Sequence, residues 1–212
     1  MGGKIALVTG AARGLGADVV RVFAENGASV VATDVLHEEG ELLVRSIPGA
    51  ASYLPLDVRD EAAWTDATAE IHRRYGRVDV LVNNAGIARR VLLESCSLED
   101  YLDVVNVNQV GVFLGMRAVI PLMKSSGGSI VNISSIAAES ATVPGQTSYA
   151  ASKWAVNAMT RTAAMELGPY GIRVNSVQPG HLVTLFEKAL LLTQIESHVY
   201  LVPSMLIKNE YQ

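Results

Sequence analysis

The chain has 212 residues, half of them apolar and 18% charged, which suits one large domain with a buried core and excludes a disordered or fibrous chain. Seventeen Lys and Arg against 21 Asp and Glu leave a net charge of −4, without the basic footprint that nucleic acid or an anionic membrane surface requires. Cys96 is the single cysteine, so an intrachain disulfide and a cysteine-built metal site are excluded, and a reducing, cytoplasmic setting is expected.

Short β-branched or apolar runs near 4–9, 28–34, 51–56, 78–83, 129–134 and 172–177 are predicted strands. They alternate with stretches at 14–26, 37–47, 60–75, 99–124 and 147–168 where apolar residues recur at i, i+3 and i+4, the helical period. This alternation predicts an α/β fold: a doubly wound parallel sheet of Rossmann type with crossover helices on both faces, built as one domain. The runs Ile5 to Val8, Val80 to Val82 and Ile130 to Val131 are continuously apolar, as expected of strands covered on both faces. No segment reaches the roughly 20 consecutive apolar residues of a bilayer span, and the opening apolar run is too short for a signal-peptide core. His37, His72, His181 and His198 lack metal-ligand spacing and are expected at the surface or in loops, so no metal is expected.

The first strand runs into Thr9, Gly10, Ala11, Ala12, Arg13, Gly14, Leu15 and Gly16, which open the first helix. Glycines there let backbone approach an anion at the positive helix terminus, the form of a dinucleotide pyrophosphate site, although a glycine trio alone is also a glycine-rich turn. Asp34, 18 residues beyond Gly16 at the end of the second strand, weights the reading toward a dinucleotide: a carboxylate there accepts the ribose hydroxyls of an adenosine and repels a 2′-phosphate. NAD is therefore favoured over NADP, with Arg13 in the loop as the one available phosphate contact. Asp57 and Val58 close the third strand, where an acidic side chain either receives the adenine amino group or caps a turn.

Tyr149 and Lys153 stand four residues apart, one turn apart on one helical face. A phenol ordinarily titrates near pH ~10, and a neighbouring cation favours its phenolate, the pairing that proton transfer at neutral pH needs. Ser134 and Ser135 end the fifth strand, on the carboxyl edge where open α/β sheets meet ligands. The period of two along a strand sends their side chains to opposite faces, and Ser135 is preferred as the hydroxyl that meets the substrate oxygen.

Taken in order, Thr9 to Gly16, Asp34, Asp57 with Val58, the run Asn83, Asn84, Ala85 and Gly86, Asn108, Ile130 to Ser135, Tyr149 with Lys153, Arg173 to Ser176, and Pro179 with Gly180 resemble the short-chain dehydrogenase/reductase family over residues 4 to 184. Within that family the chain is most similar to bacterial hydroxysteroid dehydrogenases of the 3α(20β) kind. The resemblance implies an oxidoreductase that moves hydride between NAD(H) and a secondary alcohol or ketone, steroid-like or otherwise apolar. It implies Tyr149 as general acid/base, Lys153 lowering the phenol pKa and holding nicotinamide ribose hydroxyls, and Ser135 positioning the substrate oxygen. Asn108 would hold a water that continues a proton relay, and Asn84, Ala85 and Gly86 would pass close to the adenosine ribose. Pro179, Gly180, Leu182 and Thr184 would meet the carboxamide and phosphates. A homodimer or tetramer is the family-like assembly.

Every one of the 18 glycines lies before residue 181. Residues 1–184 are expected to form the cofactor-binding and catalytic domain, and 185–212 an atypical tail that lacks the glycine-introduced last edge strand of the family. His198 to Val202 is either a short strand or an apolar tail. A truncated or spliced form is the leading explanation of that tail. It also supports an alternative reading, a catalytically impaired nucleotide-binding or interaction protein. A methyltransferase on a related sheet leaves Tyr149, Lys153 and Ser135 without a role.

Overall fold

Alternating side chains sort each apolar strand onto two faces of a sheet. In β1 (Ile5–Thr9), Ala6 and Val8 enter one apolar cluster while Leu7 enters the other. The same division holds in β2 (Ser29–Asp34), where Val30 and Ala32 oppose Val31. The structure, a computed structural model, describes residues 1–139, 143–180 and 199–202. β3 (Ala51–Pro55), β4 (Val80–Asn83), β5 (Gly128–Ile133) and β6 (Ile172–Pro179) complete a six-stranded parallel array in the order β3-β2-β1-β4-β5-β6. The order reverses between β1 and β4, so their carboxyl ends part and leave a crevice.

Helices α1 (Gly14–Glu25) and α2 (His37–Arg45) cover one face through Ala17, Val20, Ala24 and Leu43. On the other lie α3 (Glu61–Tyr75), α4 (Leu98–Val105), α5 (Gly111–Met123) and α6 (Thr147–Leu167). Trp64 of α3 is fully buried there and its indole N–H donates to the Val58 carbonyl, 3.0 Å, so the large ring is packed with its polar atom satisfied. Caps follow sequence: Asp60 accepts from Ala62 N–H at the start of α3, and Gly76, at φ +73°, ends it in the left-handed region.

All six expected strands and all five helical stretches are present, within a few residues. The stretch expected as one helix over 99–124 is interrupted between α4 and α5 by a π-helical turn, Asn106–Val110. Leu98–Met123 is also 26 residues long, and an 18-residue stretch of it has a mean hydropathy of 1.3, long and apolar enough by those two measures to cross a bilayer although it holds no run of roughly 20 consecutive apolar residues. Here Val104, Val112, Leu114, Val119 and Met123 bury that apolar surface in the core. The parallel array ends at β6. Beyond it, β7 (Val199–Val202) pairs antiparallel with Ser176 to Pro179, which answers whether that run is strand or tail and accounts for β6 extending past residue 177.

Candidate active site

The loop after β1 and the loop after β4 lie against each other because only glycine allows it. Gly10 has φ +62°, and a Cβ there would fall 2.6 Å from the Ala85 Cα; a Cβ on Gly16 would overlap the Gly10 carbonyl and the Asn84 amide. Asn84 clamps the loop by donating to the Thr9 and Gly10 carbonyls, 3.0 and 2.9 Å, while the buried Thr9 hydroxyl accepts from the N–H groups of Asn84 and Ala85. Arg13, exposed, is the N-cap residue of α1 and supplies no side-chain cap, and the first turn carries no acidic residue. The uncapped N–H groups and the positive end of the helix are therefore available to an anion. Gly10→Ala is expected to destabilise the fold by about 1–3 kcal/mol from its backbone conformation alone and to lose cofactor binding through the collision with Ala85; thermal melts with and without cofactor check both.

Asp34, at the end of β2, holds the far side of this loop. One carboxylate oxygen accepts from Ala12 N–H, 2.9 Å, and the other from Val35 and Leu36 N–H, 2.8 and 3.1 Å. Three of the roughly four acceptor positions of a carboxylate are thus filled, leaving one lone pair on the oxygen that faces Ala12. Tyr53 donates to the Asp34 carbonyl, 2.7 Å; burial, with Asp34, Glu41 and Glu39 around it, pushes its phenol up to about 12. Asp57 is engaged by Arg59 through backbone and guanidinium at 2.7 to 3.1 Å, which holds its carboxyl below the usual range, and Val58 packs against Gly111.

A cleft of about 250 Å³ opens at the carboxyl ends of β4, β5 and β6. Its walls are Leu15 of the glycine loop, Asn84 and Gly86 to Ala88 after β4, Ile133 to Ser135 after β5, Tyr149 and Lys153 of α6, and Pro179 with Gly180. Lys153 is 3% exposed and donates to the Ile133 carbonyl, 2.8 Å; burial pushes its ammonium down to about 8. Its Nζ stands 5.8 Å from the centre of the Tyr149 ring. A Cβ on Gly86 would come within 3.5 Å of that Nζ and 3.3 Å of Asn108 Oδ1, so the glycine keeps the space between them open. The Ser135 hydroxyl accepts from Ala137 N–H, 3.2 Å, and its own proton has no acceptor among the described residues. The Tyr149 hydroxyl has no hydrogen-bond partner among them either, so both groups can address a third molecule.

Of the residues expected from sequence, Leu15, Asn84, Gly86, Ser135, Tyr149, Lys153, Pro179 and Gly180 meet in this cleft. Asn108 lies behind its wall, fully buried. Asp34 and Asp57 stand at the adjoining ends of β2 and β3, with the Leu56 N–H on the Asp34 carbonyl, 3.1 Å. Leu182 and Thr184 lie outside the described residues, as does the part of the loop after Ser135 at 140–142. Leu92, Leu93 and Val143, apolar residues that sequence alone allows as pocket lining, are exposed and do not line the cleft. Asn83 proves structural: it donates to Asn132, which donates to Thr160, tying β4 and β5 to α6. No motif in the sequence tells what the Thr9 and Ser152 hydroxyls bind: Thr9 accepts from the N–H groups of Asn84 and Ala85, and Ser152 accepts from the Asn108 amide and donates to the Tyr149 carbonyl.

A family profile described as short chain dehydrogenase matches residues 4–194. The chain belongs to this family. The trans-4-hydroxycyclohexanecarboxylate dehydrogenase of Sinomonas cyclohexanicum is 45% identical over 190 residues, 85% of this chain and 73% of that protein. The 3-alpha-(or 20-beta)-hydroxysteroid dehydrogenase of Mycobacterium tuberculosis (strain ATCC 25618 / H37Rv) is 47% identical over 183 residues, 86% of this chain and 70% of that protein. The crystal structure of gox2181 superposes with a TM-score of 0.85 at 31% identity, covering 89% of this chain and 76% of that one. As a member of the short chain dehydrogenases, the chain is a nicotinamide-dependent oxidoreductase acting on the CH-OH group of a small-molecule alcohol or on the corresponding ketone. The glycine cradle, with its uncapped helix N-terminus beside an acceptor carboxylate, fits such a cofactor.

Proposed function

We propose that the chain interconverts an apolar, ring-bearing secondary alcohol and its ketone, with NAD as cofactor and Tyr149 as general acid/base. The observation that carries this reading is the meeting of Tyr149, Lys153 and Ser135 in one cleft that Leu15 of the glycine loop also lines. The bound cofactor supplies or receives the hydride. Ser135 donates its unclaimed proton to the substrate oxygen and so orients it. Tyr149 gives its proton to that oxygen in reduction and takes one from it in oxidation. The Lys153 ammonium stabilises the charge left on the phenol oxygen, offers donors to the nicotinamide ribose, and passes protons toward a water held at Asn108. Asn84, Ala85 and Gly86 would hold the adenosine ribose, and Pro179 and Gly180 the carboxamide.

NAD is preferred because Asp34 shares the surroundings of Tyr53 with Glu39 and Glu41, an acidic neighbourhood that repels a 2′-phosphate, with Arg13 the one cation of the glycine loop. Asp57, paired with Arg59, and Val58 beside it would hold the adenine. A homo-oligomer is supported by the exposed Leu98 and Leu102 of α4 and Trp154 of α6, two helices that pack together. Cys96, alone and unpaired, suits a cytoplasmic setting.

The test is a panel of cyclic and aliphatic secondary alcohols with NAD and with NADP, followed by absorbance of the reduced cofactor. Turnover with NAD and a ten- to hundredfold fall in the NAD-to-NADP ratio of kcat/KM in Asp34→Ser are expected, roughly the worth of hydrogen bonds to a charged group. Cofactor binding with no turnover on any alcohol would sink the reading. Gel filtration of the same preparation reads the oligomer.

A further inference from the structure

The Asn108 amide is engaged at both ends: Oδ1 accepts from Ile87 N–H, 2.8 Å, keeping one lone pair, and the two Nδ2 protons go to the Ile87 carbonyl, 2.9 Å, and to the Ser152 hydroxyl, 3.1 Å. Ser152 in turn donates to the Tyr149 carbonyl, 2.7 Å. Both side chains are 0% exposed. A directed chain of donors therefore runs from Ile87, a wall of the cleft, through the π-helical turn to the turn of α6 that carries Tyr149 and Lys153. Each bond in such a chain polarises the next, and no water reaches it to substitute for a lost partner.

From this geometry we infer that Ser152 is a positioning residue for the reaction, one that sets the rotation of the Tyr149–Lys153 turn against the Ile87 wall by acting through Asn108. The inference rests on the reading of Tyr149 as general acid/base. Its physical basis is leverage. The backbone of a helix lies about 2.3 Å from its axis, and the phenol oxygen several ångströms further out, so a small rotation of the turn is magnified at the reacting atom. A misplacement of about 1 Å there lowers the rate on the order of a hundredfold. The π-helical turn adds weight, because Asn108 stands within it and such turns gather at functional sites.

Ser152→Ala is expected to lower kcat roughly ten- to a hundredfold, with the cofactor Kd measured by calorimetry unchanged. Ser152→Thr and Ser152→Val add the same volume and differ only in the hydroxyl, so Thr restores kcat relative to Val if the hydrogen bond matters. In an Asn108→Ala background, Ser152→Ala is expected to have little further effect on kcat, because the two act as one unit. Equal kcat for Thr and Val, or an undiminished effect of Ser152→Ala in the Asn108→Ala background, overturns the inference. So does a loss of kcat that follows the melting temperature across the series. Tyr149→Phe, run beside them, separates the two levels: full activity in that variant defeats the acid/base reading itself, whereas failure of the Thr and Val contrast defeats only the role of Ser152.

Discussion

Replacing Tyr149 by Phe is expected to lower kcat on the order of 10²- to 10⁴-fold, the usual contribution of general acid/base catalysis, while leaving the melting temperature and the cofactor Kd unchanged. The structural reason for the unchanged stability is that the phenol hydroxyl has no hydrogen-bond partner among the described residues. Removing it strands no buried group and opens no cavity, in contrast to most changes at a buried polar site. The ring itself stays, half-buried, beside the Lys153 ammonium. Steady-state kinetics with the best alcohol of the panel, together with calorimetric binding of NAD, separate the loss of chemistry from loss of the site. Parental kcat in the Tyr149→Phe variant would remove Tyr149 from the reaction.

Lys153→Met is expected to reduce kcat on the order of 10²- to 10³-fold, as for other losses of charge stabilisation, and to change the response of stability to pH. The Lys153 ammonium is buried, which pushes it down to about 8 from its ordinary 10.5. Between those two pH values the unfolded chain still holds the proton that the folded chain has released. Raising the pH therefore favours the folded state: the penalty for burying the charge is complete below about 8 and is relieved as the pH approaches 10.5. Relative to the Met variant, the parent should gain on the order of 3 kcal/mol across that window. Melting curves of both proteins at intervals from neutral to alkaline pH test this, and parallel curves would count against a buried ammonium. The Met side chain leaves the Ile133 carbonyl without its donor, a deficit that does not titrate and so leaves the slope untouched.

Much of the site is legible before any coordinates because its chemistry depends on local spacing. Gly10, Gly14 and Gly16 follow a strand and open a helix, so their neighbours in sequence are their neighbours in space. Tyr149 and Lys153 share a helical face for the same reason, four residues being about one turn. Strand and helix positions are equally readable, since continuous apolar runs and an i, i+3, i+4 period are properties of the chain itself.

What sequence hides is long range. Thr9 is unremarkable as the last residue of a strand, yet its hydroxyl accepts two N–H groups some 75 positions away. Asn83 and Asn84 are adjacent and chemically identical, and only pairing across β4 and β5 sends the first into a buried amide ladder and the second onto the glycine loop. The π-helical turn at Asn106–Val110 escapes the periodicity because the stretches on both sides of it keep the same i, i+3, i+4 period, and five residues are too few to show a different one.

The sequence by itself determined the class of fold, the glycine loop after the first strand and the one-turn spacing of Tyr149 and Lys153, since each is written in spacings shorter than a few turns. Only the tertiary structure decided that Asp34 spends most of its acceptors on backbone and that Asp57 is taken by Arg59. It likewise decided that Ser152 joins Asn108 to the Tyr149 turn. Those outcomes depend on which donor finds which acceptor when distant strands and helices close on one another, and burial penalises each polar group left without a partner.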